Sequence, residues 1–294
     1  MGKIFKWVAI ILGVLIVLLL LAAGTLILKT NSQLNKVHTV QAEEIVVPKD
    51  AASIARGNLW AHSECIHCHG PDLAGKVMID DPMIGTIYSL NLTPGKGGAG
   101  EEFKDSDWVL AIRHGVNPEG HSFIIMPSSD FYNFSDSDLG DIIAYLKSLP
   151  PVDKELPDPA VRPLGKVLIG AGAFGKIIQA DIINHTAARP TAPAAGVTAD
   201  YGKYLVSVSG CFVCHGENLT GGQSGEPGAP PSPSLTIGGK LADWSEADFI
   251  KTLRTGVDPS NEKLTDFMPW KDFGQTTDEN LKAIWLYLRS LPAK

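Results

Sequence analysis

From Ile4 to Leu28 the chain is almost wholly apolar, and the twenty-two residues from Trp7 to Leu28 carry no charge. At about 1.5 Å per residue such a run reaches across roughly 30 Å of hydrocarbon, so the pattern predicts a membrane-spanning helix within residues 1–28. Ala22-Ala23-Gly24 would suit cleavage of a signal segment. The apolar part of a signal is only about 7 to 15 residues, however, and this run goes on well past that, which favours an uncleaved anchor. Lys3 and Lys6 precede it, which predicts a single pass with the short leading end in the cytoplasm and everything after it outside.

Beyond the anchor the pattern changes to amphipathic helices, and it changes twice in the same way. Leu139, Ile142, Ile143, Leu146 and Leu149 repeat at helical spacing after Ser135 and before Pro150, and Leu281, Ile284, Trp285, Leu288 and Leu291 repeat at the same spacing before Pro292. Thr276 and Glu279 have the spacing of a capping box for the second of these helices. A helix from Asp105 to Arg113, capped by Asp105 or Ser106 and stopped at Gly115, answers one from Asp248 to Arg254 stopped at Gly256. Met126-Pro127 answers Met268-Pro269. Landmarks kept in order at offsets of 141 to 146 residues are a tandem duplication. The chain therefore divides into an anchor (1–28), a polar tether without sustained period (29–52), a first domain (53–150), a Pro-rich linker (151–197) and a second domain (198–294). The Gly- and Pro-rich stretch from Gly70 to Gly100 reads as loop. Within the linker, Pro163 to Ile178 is apolar, Gly-laden and too short to span a membrane; it is expected to be a strap between the domains or a docking strip.

The chemistry sits in two pentapeptides. Cys65-Ile66-His67-Cys68-His69 recurs as Cys211-Phe212-Val213-Cys214-His215 and uses all four cysteines. Two thiols two residues apart can each form a thioether with a haem vinyl group, and the histidine after the second thiol becomes the proximal iron ligand. A zinc site would want a second Cys pair close by, and neither motif has one. On the other side of the iron a thioether is expected: Met126 and Met268 each precede a proline on the loop before the last helix of their domain. His121, with His114 behind it, competes with Met126, whereas no histidine follows His215. Met78 and Met83 read as packing residues, and His62 and His67 as exposed neighbours of the first motif. Candidates for contacts with haem propionates are Asn91, Thr93, Trp108 and Arg113 in the first domain, and Ser234, Thr236, Trp244 and Arg254 in the second. The formal charge is -7 overall; it is -7 over residues 53–150 and -3 over residues 198–294. That balance argues against nucleic acid as a partner.

The CxxCHG motifs, the Leu and Gly that follow, the late Met-Pro and a closing helix with Tyr145 or Tyr287 resemble class I cytochrome c, in a tandem, membrane-anchored form. The resemblance covers residues 53–150 and 198–294. It implies an all-α fold of two tandem domains behind one transmembrane helix, with first and last helices crossing where Gly57 and Gly202 allow close approach to Tyr145 and Tyr287. It also implies two covalently bound haem c groups, exposure to the periplasmic side of a bacterial cytoplasmic membrane, and Pro71 as the carbonyl support for His69, where the second motif has Glu217. Ser89-Leu-Asn91-Leu-Thr93-Pro94 before a Gly-rich stretch is similar to cytochrome subunits that accept electrons from periplasmic dehydrogenases. The expected function is electron transfer from a dehydrogenase or quinol-oxidising complex to a soluble cytochrome or terminal oxidase, with no substrate chemistry. The enzyme alternative is a dihaem peroxidase.

Overall fold

The computed structural model describes residues 2–223 and 228–294. Helix α1 (Gly2–Leu34) contains the apolar run and continues beyond it for six more residues. All of its described residues before Ala23 are exposed, as expected of a segment with no protein around it. The stretch expected to be a tether is laid on the first domain instead. His38 N donates to the Gly120 carbonyl at 2.8 Å, Val37 bridges His121, and Ala42, Ile45 and Val47 pack against the first domain's core. These apolar residues show no period, so they gave no signal, yet burying them holds the chain down.

Each domain is framed by two crossing helices. In the first, α2 (Ala51–Glu64) crosses the later helix α7 (Asp136–Lys147); in the second, α9 (Ala199–Val208) crosses α13 (Asp278–Ser290). Glycine makes both crossings tight. A Cβ at Gly57 would lie 1.9 Å from Asp141 O, and one at Gly202 would lie 1.9 Å from Ala283 O. Tyr145 Cβ is also beside Gly57, but Gly202 meets Ala283 and Ile284 rather than Tyr287.

Between the crossing helices of the first domain run α3 (Ile66–His69), β1 (Val77–Asp81), β2 (Gly85–Tyr88), α4 (Ala99–Glu102), α5 (Asp105–Val109) with a π-helical continuation at Leu110–His114, and α6 (Ser128–Phe131). The cap of α5 is Lys104, whose N–H is held by Asp107, and not Asp105 or Ser106; Gly115 ends the helix at φ 67°. The fold is thus mostly helical rather than wholly so. β1 and β2 form an antiparallel hairpin inside the expected loop, and β3 (Ala160–Val161), from the linker, adds to β2. The second domain has no such hairpin among its described residues and carries α10 (Cys211–His215), α11 (Glu246–Thr255) and α12 (Trp270–Phe273). Ser245 caps α11 in a capping box with Asp248, and Thr277, one residue past the expected Thr276, caps α13.

The linker is not a strap in an interdomain groove. It runs back over the first domain and then forms α8 (Pro163–Gly170), which packs along the end of α1. The two domains share a core: Tyr201, Tyr204, Leu205 and Val208 of α9 are buried together with Trp60, Phe134 and Leu139. Tyr204 Oη, at the joint, donates to Asp138 and accepts from Ser135 N.

Candidate functional site

Both pentapeptides form short helical turns at the end of the first crossing helix of their domain, and each histidine is buried. His69 Nδ1 lies 2.8 Å from the Leu90 carbonyl and His215 Nδ1 lies 2.8 Å from the Pro233 carbonyl. A carbonyl only accepts, so each Nδ1 carries the proton and each Nε2 keeps its lone pair for a metal. Burial also lowers the pKa of both rings, which keeps them neutral. The expected support from Pro71 is replaced by Leu90, and Pro233 serves the second motif, so the two sites are supported alike. Ser89 adds a bond from its hydroxyl to the Cys68 carbonyl at 2.6 Å.

The four thiols form no disulfide. Burial pushes the Cys65 thiol far up and Cys211 to about 12. Thiols so disfavoured as thiolates are poor zinc ligands. Each pair opens on a cavity. The first, of about 570 Å³, is lined by Cys65, Cys68, His69, Met126, Trp108, Ile112, Phe131 and Leu146; the second, of about 380 Å³, by Cys211, Cys214, His215, Met268, Leu235, Trp244 and Phe249. Both volumes fall within the range of about 300 to 1,000 Å³ usual for cofactor sites. Trp108 Nε1 and Thr252 Oγ1, on the first and second cavity walls, are buried with no hydrogen-bond partner among the described residues. A guest with oxygen acceptors at its edge would satisfy the first, and a large apolar face would fill the rest. The residues present fit haem c.

Met126 and Met268 occupy matching places. Each precedes a proline with ψ near 51° that caps a four-residue helix, and each packs against its domain's core. Ile125, just before Met126, is held at φ 75° by a bond from its N to the Ile177 carbonyl at 2.7 Å. His121 also lines the first cavity but is solvent-exposed. His114 is wholly buried outside the cavity, with Nε2 3.1 Å from Glu43 Oε2 and Nδ1 3.0 Å from His185 Nδ1. Met78 lines the first cavity, whereas Met83 is 63% exposed and so is not a core packing residue. His67 is exposed and lies 3.3 Å from Asp272 of the second domain, while His62 is partly buried against Tyr145.

Of the propionate candidates, Trp108 and Trp244 line their cavities. Arg113 is buried behind the first, donating to Phe134 O at 2.9 Å and ion-paired to Asp136 at 3.0 Å. Arg254 is turned to Asp278 at 2.7 Å and to the Gly274 carbonyl, away from the cavity lining. Asn91 and Thr93 are not brought to the cavity: Asn91 Nδ2 donates to Val152 O at 2.8 Å and Thr93 Oγ1 accepts from Val152 N at 3.0 Å. Ser234 and Thr236 repeat this staple, with Thr236 Oγ1 donating to Lys294 O at 2.7 Å.

One residue that sequence reasoning missed belongs to both sites. Glu64, immediately before Cys65, lines both cavities and accepts from Ser209 Oγ at 2.9 Å, two residues before Cys211. Burial, with Asp130 and Asp272 nearby, pushes its carboxyl up to about 8. No local pattern marks such a residue, because its place depends on how the two domains dock.

The family model for cytochrome c matches residues 54–150 and 199–292. Among curated proteins the chain is similar to the fructose dehydrogenase cytochrome subunit of Gluconobacter japonicus, 29% identical over 82% of this chain and 53% of that protein. It is similar to the gluconate 2-dehydrogenase cytochrome c subunit of Pantoea cypripedii, 28% identical over 83% of this chain and 60% of that protein. It is also similar to a diheme cytochrome c-type protein of Cereibacter sphaeroides, 27% identical over 80% of this chain and 83% of that protein. The chain spans little more than half the length of the dehydrogenase cytochrome subunits it matches. With two matched regions that together cover most of the chain, each containing one attachment motif and one cavity, the chain belongs to the cytochrome c family.

Proposed function

We propose that the chain is a membrane-anchored dihaem electron-transfer protein, serving as the cytochrome subunit of a dehydrogenase and not as its catalytic subunit. Two cavities of the same design, meeting at Glu64, carry the proposal. Cys65 and Cys68 would hold one haem by thioethers, with His69 and Met126 holding its iron; Cys211, Cys214, His215 and Met268 would hold the other. Haem c held in this way supplies reversible one-electron exchange at iron.

The chain's own residues set the terms of that exchange. The Leu90 and Pro233 carbonyls fix the plane and tautomer of the two imidazoles. Apolar walls exclude water, and a methionine on each cavity wall leaves no position for a substrate. The Ser209 to Glu64 bond and the shared core keep the two attachment motifs side by side. Helix α1 supplies one apolar segment able to cross a membrane, and it is the proposed anchor in the bacterial cytoplasmic membrane. The similarity to cytochrome subunits of fructose, gluconate and quinone-dependent alcohol dehydrogenases supports a dehydrogenase as donor.

Pyridine haemochrome analysis should return two covalent haems per chain, and stepwise reduction should take up two electrons. Met126→Ala and Met268→Ala should each convert one haem from low to high spin. One haem per chain, or peroxide turnover by the unmodified protein, would overturn the proposal.

A further inference from the structure

The placement of α8 bears on how the first domain meets the bilayer. Thr30 Oγ1 donates to the Lys166 carbonyl at 2.7 Å, Lys29 Nζ donates to the Gly170 carbonyl at 2.8 Å, and a Cβ on Gly170 would lie 2.7 Å from the Leu26 carbonyl. Contacts that move down α1 as the chain moves up α8 make the two antiparallel. Following α8 from Lys166 to Gly170 therefore means descending along α1 from Thr30 to Leu26. Helix α1 is partly shielded as far back as Ala23. Ala23 to Leu28 lies inside the uncharged run proposed to cross the membrane, so this shielding reaches about 8 Å below the end of that run.

The segment that makes this descent is composed for it. From Val167 to Gly175 it has no charge, and Lys166 and Lys176 flank it. Four of the backbone donors at its tip are met internally: Ala171 N bonds Val167 O, Gly172 N bonds Ile169 O, Ala173 N bonds Leu168 O and Gly175 N bonds Gly172 O. Lys29 takes the last α8 carbonyl. Internal bonds of this kind lower the cost of bringing backbone near hydrocarbon. Ala171, Gly172 and Ala173 at the tip are exposed and touch no part of the chain that would cover them.

We propose that residues 167–175 form a wedge that enters the outer lipid interface beside α1, giving the first domain a second contact with the bilayer and fixing its orientation. The inference rests on α1 being the anchor. An apolar element buried about 5 to 10 Å into the headgroup and acyl boundary is a familiar mode of membrane attachment. Because Asn31, Leu34 and Asn35 of α1 line the first cavity, the wedge would seat that cavity directly on the membrane surface.

The test uses the full haem-loaded chain in phosphatidylcholine and phosphatidylglycerol vesicles. Its native thiols are committed to haem, so a single introduced cysteine takes a nitroxide label. Labels at Ala171→Cys and Ala173→Cys should show an oxygen-to-nickel accessibility ratio several-fold above a label at Leu286→Cys, which lies on an exposed face of α13. A label at Leu15→Cys reports the anchor. A lipid-like Leu15 with Ala171 and Ala173 matching Leu286 would overturn the wedge and leave the anchor standing. A water-like Leu15 would overturn the anchor and the wedge with it.

Discussion

Glu64→Gln isolates one proton at the joint between the two cavities. The ordinary carboxylate value is 4.5 and the folded value is about 8, so the folded protein keeps a proton that the unfolded chain has lost. A raised folded value means that the stabilisation is fully present below about pH 4.5 and is lost as the pH rises toward 8. In that window the group binds about one proton more in the native state, which gives a slope near -1.4 kcal/mol per pH unit. From pH 5 to pH 7.5 the wild type should therefore lose about 3 kcal/mol through Glu64 alone. The glutamine keeps the shape and still accepts from Ser209, so the variant should not show this loss. Asp130, which burial raises to about 6, titrates in both proteins, so only its coupling to Glu64 enters the difference. The assay is urea unfolding of the haem-loaded protein at several pH values, followed by far-ultraviolet circular dichroism. With haem in place, positive charge at the oxidised iron favours the carboxylate, so wild-type midpoint potentials should fall with rising pH more steeply than the variant's. Parallel stability profiles for the two proteins would refute the reasoning.

Gly57→Ala and Gly202→Ala each place a Cβ 1.9 Å from a carbonyl oxygen of the crossing helix; each should cost about 1 to 3 kcal/mol or more by forcing the helices apart, read as a fall in thermal midpoint. Tyr204→Phe removes the group that links Ser135 and Asp138; it should cost about 1 to 3 kcal/mol and loosen the joint, seen as faster amide exchange in α9. Burial pushes the Glu43 carboxyl up, but the His114 hydrogen bond and the nearby Arg113 bring it below its ordinary value overall. A depressed value is a stabilisation lost as pH falls from about 4.5 through the folded value, so His114→Gln should flatten that acid limb of the stability curve.

The twofold plan was legible because it is written in local patterns. Helical spacing, the Met-Pro pairs and the left-handed stops at Gly115 and Gly256 act within a few residues of themselves. What the sequence did not reveal depends on the docking of distant segments. The carbonyls of Leu90 and Pro233 are backbone atoms, which no side-chain motif announces. Residues 36 to 48 carry their apolar side chains without a period, and the β1–β2 hairpin is too short to stand out from a Gly-rich loop. Asn91 and Thr93, with Ser234 and Thr236, are polar and lie before matching helices, as propionate contacts would; their oxygens and the Asn91 amide instead tie each domain to a later stretch of chain.

The joint also bears on biogenesis. Cys65 and Cys211 are each partly buried, and the bond from Ser209 to Glu64 ties together the stretches that lead into them. An attaching enzyme that must reach a thiol needs the polypeptide still open there. If both motifs carry haem as proposed, loading is easiest before the halves close, and a chain that closes early should load more slowly.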